Sequence, residues 1–325
     1  MRILKGILIL GTIWLSACED QVGIQVQPFE SQPIIYCLID PTDTIHSIRI
    51  ERVFSGFQPP AITARNPDSL FFTEADVKVI LSRREGGPVD PIIAKCVAMA
   101  DKEPGYFASQ KHYLYQFSQI MNADGVNLFY KAEIRVEIPG LPPATASCNL
   151  MSPPKIWSPN SAQQFIYIVP DNPLRIQWSG GSWNEVDIRF EIKEMYADSI
   201  ATKILQFQKV NAVLINWKYY EVRIPYDLVV QGIGKNFKYR KDIMRRYFGP
   251  VYITINTGQE EYAKYIEYQG GINDFNQNPF SNIVNGLGLL TSKSSIIKGP
   301  MELDQASRFQ FAADPVLKKL SFIEY

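Results

Sequence analysis

His46 and His112 are the two imidazoles in a chain of 325 residues, so acid–base chemistry near neutral pH has few side chains to draw on. Neither lies in a GxSxG elbow, in an HExxH helix or beside a cysteine, the arrangements that bring a nucleophile, a base or a metal together. Both are therefore read as surface or strand-face residues. The four cysteines, Cys18, Cys37, Cys96 and Cys148, are too far apart in sequence for a zinc knuckle or a CxxC redox pair. Asn273-Asp274-Phe275-Asn276-Gln277-Asn278 offers side-chain oxygens but a single carboxylate, and hard divalent ions recruit several charged ligands, so an Asx-rich turn is expected. Gln231-Gly232-Ile233-Gly234-Lys235-Asn236 lacks the first glycine of a phosphate loop and the hydroxyl residue after its lysine, and is read as an ordinary loop. No catalytic residue, metal or cofactor is expected.

Two stretches remain that carry binding chemistry. Lys235, Lys238, Arg240, Lys241, Arg245 and Arg246 place six positive charges within twelve residues, interleaved with Phe237, Tyr239, Ile243, Met244 and Tyr247. Such an amphipathic stretch is either a solvated helix face or a surface that meets lipid phosphates or an acidic partner. The second stretch is aromatic. Trp178, Trp183, Trp217, Tyr219 and Tyr220 are candidates for a ligand-stacking platform, although aromatic residues on strands more often belong to the core.

The N-terminus speaks to location. Met1 to Lys5 carry two positive charges, Gly6 to Leu15 form an apolar run too short to span a bilayer, and Leu15-Ser16-Ala17-Cys18 resembles the bacterial lipobox. The expectation is a lipoprotein signal peptide at 1–17, lipidation at Cys18 and a tether at 18–27. Several acyl chains on one residue anchor stably where a single chain does not. Glu19 and Asp20 are similar to a surface-export signal of Bacteroidota lipoproteins, and also suit a solvated tether, so an outer-membrane lipoprotein on either the periplasmic face or the cell surface fits. Removing residues 1–17 takes Arg2 and Lys5 away and leaves 31 basic side chains (33 less two) against 33 acidic ones. A nearly neutral chain with a secretory signal gives no reason to expect nucleic acid. After lipidation Cys37, Cys96 and Cys148 remain, which permits three pairings and leaves one thiol over; in its apolar run Cys37 is read as a buried, inert thiol.

The elements that would position these residues are mostly strands. With 46% hydrophobic and 20% charged residues the composition is that of a folded globular chain. Ala75, Val77, Val79 and Leu81 alternate with Asp76, Lys78 and Ser82, and Tyr130, Ala132, Ile134, Val136 and Ile138 alternate with Lys131, Glu133, Arg135 and Glu137: this is the period of a half-buried strand. Further strands are expected at 33–39, 45–54, 92–98 and 112–120, with 58–68 a long loop. Prolines at 139, 142, 143, 153, 154 and 159 suggest a semi-rigid link at 139–159 between a first domain, 28–138, and a second, 160–325. In the second domain, strands are expected at 174–178, 186–192 and 251–256. Thr257-Gly258-Gln259-Glu260 matches a capping box opening a short helix at 258–269. The fold expected is mainly β, two immunoglobulin- or fibronectin-like sandwiches with a short helix in the second.

The order of these features is similar to that of a family of uncharacterised Bacteroidota lipoproteins grouped as domain of unknown function 4249. The resemblance covers nearly the whole chain after Cys18. It rests on Ala75-Asp76-Val77-Lys78-Val79 before a glycine turn, the proline-rich link, the Trp178 strand, the tyrosine-rich helix at 260–268, Asn278-Pro279-Phe280-Ser281-Asn282-Ile283, and Gly286-Leu287-Gly288. Leu289 and Leu290 stand where the family usually has an aromatic residue. The family implies an outer-membrane lipoprotein, often encoded near TonB-dependent receptors, and no known catalytic residues. The expected function is thus non-catalytic: a binding or accessory component beside such a receptor or uptake system. The alternatives are a structural subunit of an envelope secretion or motility assembly, and a hydrolase with an unfamiliar site. The first expects a concave pocket, the second extended apolar patches, the third clustered carboxylates.

Overall fold

Period-two alternation decides most of the chain. In the computed structural model, residues 32–53, 62, 65–100, 112–160, 162–210, 212–215, 219–270 and 280–325 are described. Residues 1–31, with the signal, Cys18 and the acidic pair, lie outside them, as do Trp217 and Asn273 to Asn278. The first half folds as strands β1 (Pro33–Ile39), β2 (Ile45–Arg52), β3 (Asp76–Arg83), β4 (Lys95–Met99), β5 (His112–Ser118), β6 (Lys131–Glu137) and β7 (Ala144–Asn149). One sheet joins β1, β2, β5 and β4, and another joins β7, β6 and β3. Ile35, Cys37 and Ile39 of β1 and Ile48 and Ile50 of β2 share a core with Val77, Val79 and Leu81 of β3 and Ala132, Ile134 and Val136 of β6. The alternation therefore turns its apolar face inward on both sheets, as a sandwich requires. Between β5 and β6 a short hairpin turns at Asp124 and Gly125, whose φ values of 51° and 78° suit the two central positions of a type I′ turn.

The second half holds β8 (Lys155–Ser158), β9 (Leu174–Ser179), β10 (Trp183–Met195), β11 (Ile200–Val210), β12 (Val213–Ile215), β13 (Tyr219–Ile224), β14 (Arg245–Gly258) and β15 (Leu287–Leu303), with helices α1 (Tyr226–Asn236), α2 (Glu260–Gly270), α3 (Gln305–Ala313) and α4 (Pro315–Lys319). The sheet β8-β9-β13-β12 packs Ile176 and Trp178 against Ile188 and Phe190 of β10 and Ile253 of β14. Val229, Ile233, Phe311 and Leu317 bring α1, α3 and α4 into the same core. Asp304 caps α3 by accepting from the Ser307 amide, and Asp314 caps α4 by accepting from Val316 and Leu317, with Pro315 in the first turn.

One strand belongs to both halves. Leu287 to Ser292 of β15 run parallel to β1, whereas Lys293 to Met301 pair antiparallel with β14. The result is a continuous sheet in the order β11-β10-β14-β15-β1-β2-β5-β4. At the crossover the Ser292 hydroxyl donates to the Ile39 carbonyl at 2.9 Å and accepts from the Met151 amide at 2.8 Å. A Cβ at Gly288, where φ is +113°, would lie 2.1 Å from the Ile35 carbonyl oxygen, so the parallel pairing demands glycine there.

Several expectations need correction. The mainly β fold stands as expected, with two large buried clusters and a small one at Leu70 and Phe71, but Gln32–Tyr325 forms one compact unit, because β15 completes the sheet begun by β1. The 139–159 link contains β7 and β8; β7 escaped notice because Ala144, Ala146 and Cys148, its inward residues, are small and proline-flanked. Gln231 to Asn236 is the second half of helix α1, not a loop. Its glycines weigh against helix by about 1 kcal/mol each, but they allow close approach: a Cβ at Gly232 would sit 3.2 Å from Leu205, and one at Gly234 3.2 Å from Val316. The capping box does not form, since β14 extends through Thr257, whose hydroxyl bonds the Ser294 carbonyl; Glu260 instead pairs with Lys264 at 2.7 Å.

Candidate functional site

The basic stretch begins in the last turn of α1, crosses a loop and ends in the first residues of β14, so it is not a single helix face. Phe237 and Ile243 are buried and fasten the loop; Tyr239 and Met244 between and beyond them are 61% and 58% exposed. The Arg240 carbonyl accepts from the Ile243 amide, and the Met244 amide bonds the Met195 carbonyl, which closes the turn. Lys235, Lys238, Arg240, Lys241 and Arg245 are exposed.

Arg246 is the exception, and it corrects the picture of six charges on one surface. It is 1% exposed. Alternation inward from Val186 through Ile188, Phe190 and Ile192 places Glu194 on the core face of β10, and the register sets Glu194 opposite Arg246 of β14. The Arg246 Nε donates to Glu194 Oε1 at 2.8 Å, Nη1 to the Leu320 carbonyl at 2.8 Å and Nη2 to the Lys238 carbonyl at 3.0 Å. Tyr196 donates to the other Glu194 oxygen at 3.1 Å. One guanidinium thus ties β10, the basic loop and the C-terminal segment together. A buried pair of this kind holds only when its remaining polar atoms are also satisfied, as they are here.

Above this pair lies a cleft of about 500 Å³, lined by Glu194, Lys203, Leu205, Phe237, Lys238 and Arg240 among others. Arg240 forks onto Asp242 through Nε at 3.1 Å and Nη2 at 2.5 Å, and that hydrogen bonding holds the Asp242 carboxyl below the usual carboxylate range. Lys203 and Lys238 have no ion-pair partner among the described residues. With Arg246 and Glu194 neutralising each other and Arg240 shared with Asp242, the uncompensated charge at the cleft is cationic. The arrangement suits an anionic group; among the described residues that line it, no nucleophile is paired with a base. The signal that sequence reasoning missed was Glu194: a carboxylate on an apolar strand face demands a buried cation.

Among the described residues, Trp178, Trp183, Tyr219 and Tyr220 do not come together as a platform. Trp178 is fully buried, stacks on Tyr220 at 5.9 Å and donates its indole N–H to Asn184 Oδ1 at 2.7 Å. Trp183 meets Tyr262 edge-on at 4.9 Å, and Tyr219 and Tyr220 are half-buried. The stack of Trp178 on Tyr220 uses ring faces that a ligand would need.

The two histidines occupy different places. His46 is buried, stacks on Phe117 at 5.0 Å and meets the Gln119 carbonyl at 3.2 Å; burial lowers its pKa. His112 begins β5 opposite Met99, while Phe117, the partner of His46, lies five residues further along that strand. Cys37 and Cys148 are buried free thiols, with burial pushing Cys37 up to about 12, and Cys96 is an exposed free thiol. Among the described residues no helix is long and apolar enough to cross a membrane. No protein-family model matches the chain, and no curated protein matches it.

Proposed function

We propose that this chain is a non-catalytic outer-membrane lipoprotein, anchored through Cys18, that serves as a binding or accessory component beside a TonB-dependent receptor or other envelope protein. The observation that carries the binding reading is the cleft at the basic loop: a concave site of about 500 Å³ with Lys203 and Lys238 uncompensated at its rim. Its size falls within the range of small-molecule sites. Loop residues Tyr239 and Met244, apolar and exposed beside five cations, add the mixed surface typical of a docking site. The anchor, the envelope location and the receptor partner rest on the N-terminal residues and the family resemblance.

The test is recovery of partners from detergent-solubilised outer membrane, with mass spectrometry, by the wild type and by a variant carrying Lys238→Gln, Arg240→Gln, Lys241→Gln and Arg245→Gln. Arg246 is left intact because it is structural. Low-salt recovery should fall steeply in the variant, and the difference should vanish near 1 M salt, where the Debye length is about 3 Å. Equal recovery at low salt refutes the loop as the working surface. Cys18→Ala should in parallel leave the protein unprocessed or soluble; wild-type membrane fractionation of that variant removes the anchor.

A further inference from the structure

The cleft has a second wall whose chemistry is backbone. Four consecutive residues of β11, Lys203, Ile204, Leu205 and Gln206, line it. Successive side chains of a strand point to opposite faces, and here Leu205 is buried whereas Ile204 is 51% exposed. A cavity bordered by residues from both faces lies against the edge of the strand. That edge is open: β11 is the last strand of the long sheet and pairs, among the described residues, with β10 alone. Alternate residues of such a strand turn their N–H and C=O groups outward, unpaired and ready to accept another strand. Eleven residues make it a long edge, and the opposite edge of the sheet, β4, has five. The basic loop stands across the cleft and supplies Lys238, and the edge itself supplies Lys203.

We propose that β11 receives an extended, acidic segment of a partner protein, which adds to the sheet as a further strand while its carboxylates meet Lys203 and Lys238. Main-chain pairing supplies affinity and the two lysines select the charge of the side chains, the division of labour seen in strand-addition recognition generally. Exposed Ile200 and Ile204, 56% and 51% exposed on β11, offer apolar contact to alternate residues of the incoming segment. The inference rests on the basic loop being the working surface and adds that the ligand is a peptide bound through its backbone.

The probe is a ten-residue peptide alternating valine and glutamate, titrated calorimetrically at low salt onto the full chain in non-ionic detergent. Binding should slow amide hydrogen exchange within Ile200–Val210. The same peptide methylated at every backbone nitrogen keeps its charge but cannot pair, and should bind more than tenfold more weakly, a loss above about 1.4 kcal/mol. A lysine-for-glutamate peptide should not bind, and Lys203→Glu with Lys238→Glu should weaken the parent peptide at least tenfold. Equal binding of the methylated peptide, or unchanged exchange in β11, overturns strand addition in favour of plain electrostatic attraction. No binding of the parent peptide overturns it as well. If in either case the glutamine variant still loses partners from the outer membrane, the docking reading survives and only its backbone component falls.

Discussion

The two cores are closed by different means. The first is sheet against sheet, and the ion pairs of its strands, such as Lys131 with Glu133 and Arg135 with Glu137, run two residues apart along outward faces. The second packs a sheet against another sheet and against α1, α3 and α4 in one buried cluster, and it encloses the Glu194–Arg246 pair. A face covered by a second sheet needs only alternating apolar residues. Where β10, β11 and β14 run past the sheet that covers them, a loop and the chain terminus complete the closure, and polar groups enter with them. That is where the cleft forms. The candidate cationic cleft thus accompanies the less regular closure, and loops held on a rigid scaffold commonly carry function.

The comparison breaks most plainly under a charge placed in either core. Ile134→Asp in the first and Phe190→Asp in the second each bury an unpaired carboxylate, at a cost of about 5 kcal/mol or more, comparable with the whole stability of a domain. Because β15 joins both halves in one continuous sheet, each variant should abolish protease resistance across Gln32–Tyr325. Survival of the untouched half as a protected fragment would show that β15 does not couple the cores.

Next in size is the contrast within the basic stretch. Arg246→Gln strands Glu194 and two carbonyls and should cost about 3–5 kcal/mol, whereas Arg240→Gln removes an exposed, solvent-screened pair and should change stability far less. Urea denaturation of the two variants measures both; similar midpoints would mean that the buried guanidinium is not a clamp. Ser292→Ala should fall between, at about 1–3 kcal/mol, since it leaves the buried Met151 amide without its acceptor at the crossover of β15. A midpoint identical to the wild type would remove Ser292 as a joint between the halves.

The smallest effect is one of pH and belongs to the first core. Burial lowers the His46 pKa below the ordinary 6.5, so the unfolded chain takes up a proton that the folded chain refuses. Stability is then full above about pH 6.5 and declines as pH falls below it. His46→Phe should flatten that part of the pH–stability curve; an unaltered slope between pH 7 and 5 would place the titrating group elsewhere.

The strands of the first half were legible because their signal is local. Val77, Val79 and Leu81, or Ala132, Ile134 and Val136, declare an inward face within seven residues, whatever the rest of the chain does. The turns at Asn122–Gly125 and Ser179–Ser182 were legible for a similar reason, their glycines taking up positive φ. Helix α1 was not, since Gly232 and Gly234 argue against a helix until Leu205, Phe207 and Val316 arrive against them. The basic residues of the candidate site were visible as a cluster; what each does was not.

The sequence by itself determined the mainly β character, the inward faces of the long alternating strands, the burial of Cys37 and the position of a cationic segment before Val251. Those follow from side-chain period, turn chemistry and composition, all of which act over a few residues. Only the tertiary structure decided that β15 would serve two partners and that one of six cations would be a clamp and the other five a surface. It also decided that the cleft would open against the edge of β11. Each of these depends on residues far apart in the chain, Glu194 with Arg246 or Ile35 with Gly288, whose meeting is set by strand register, and register is a property of the whole sheet.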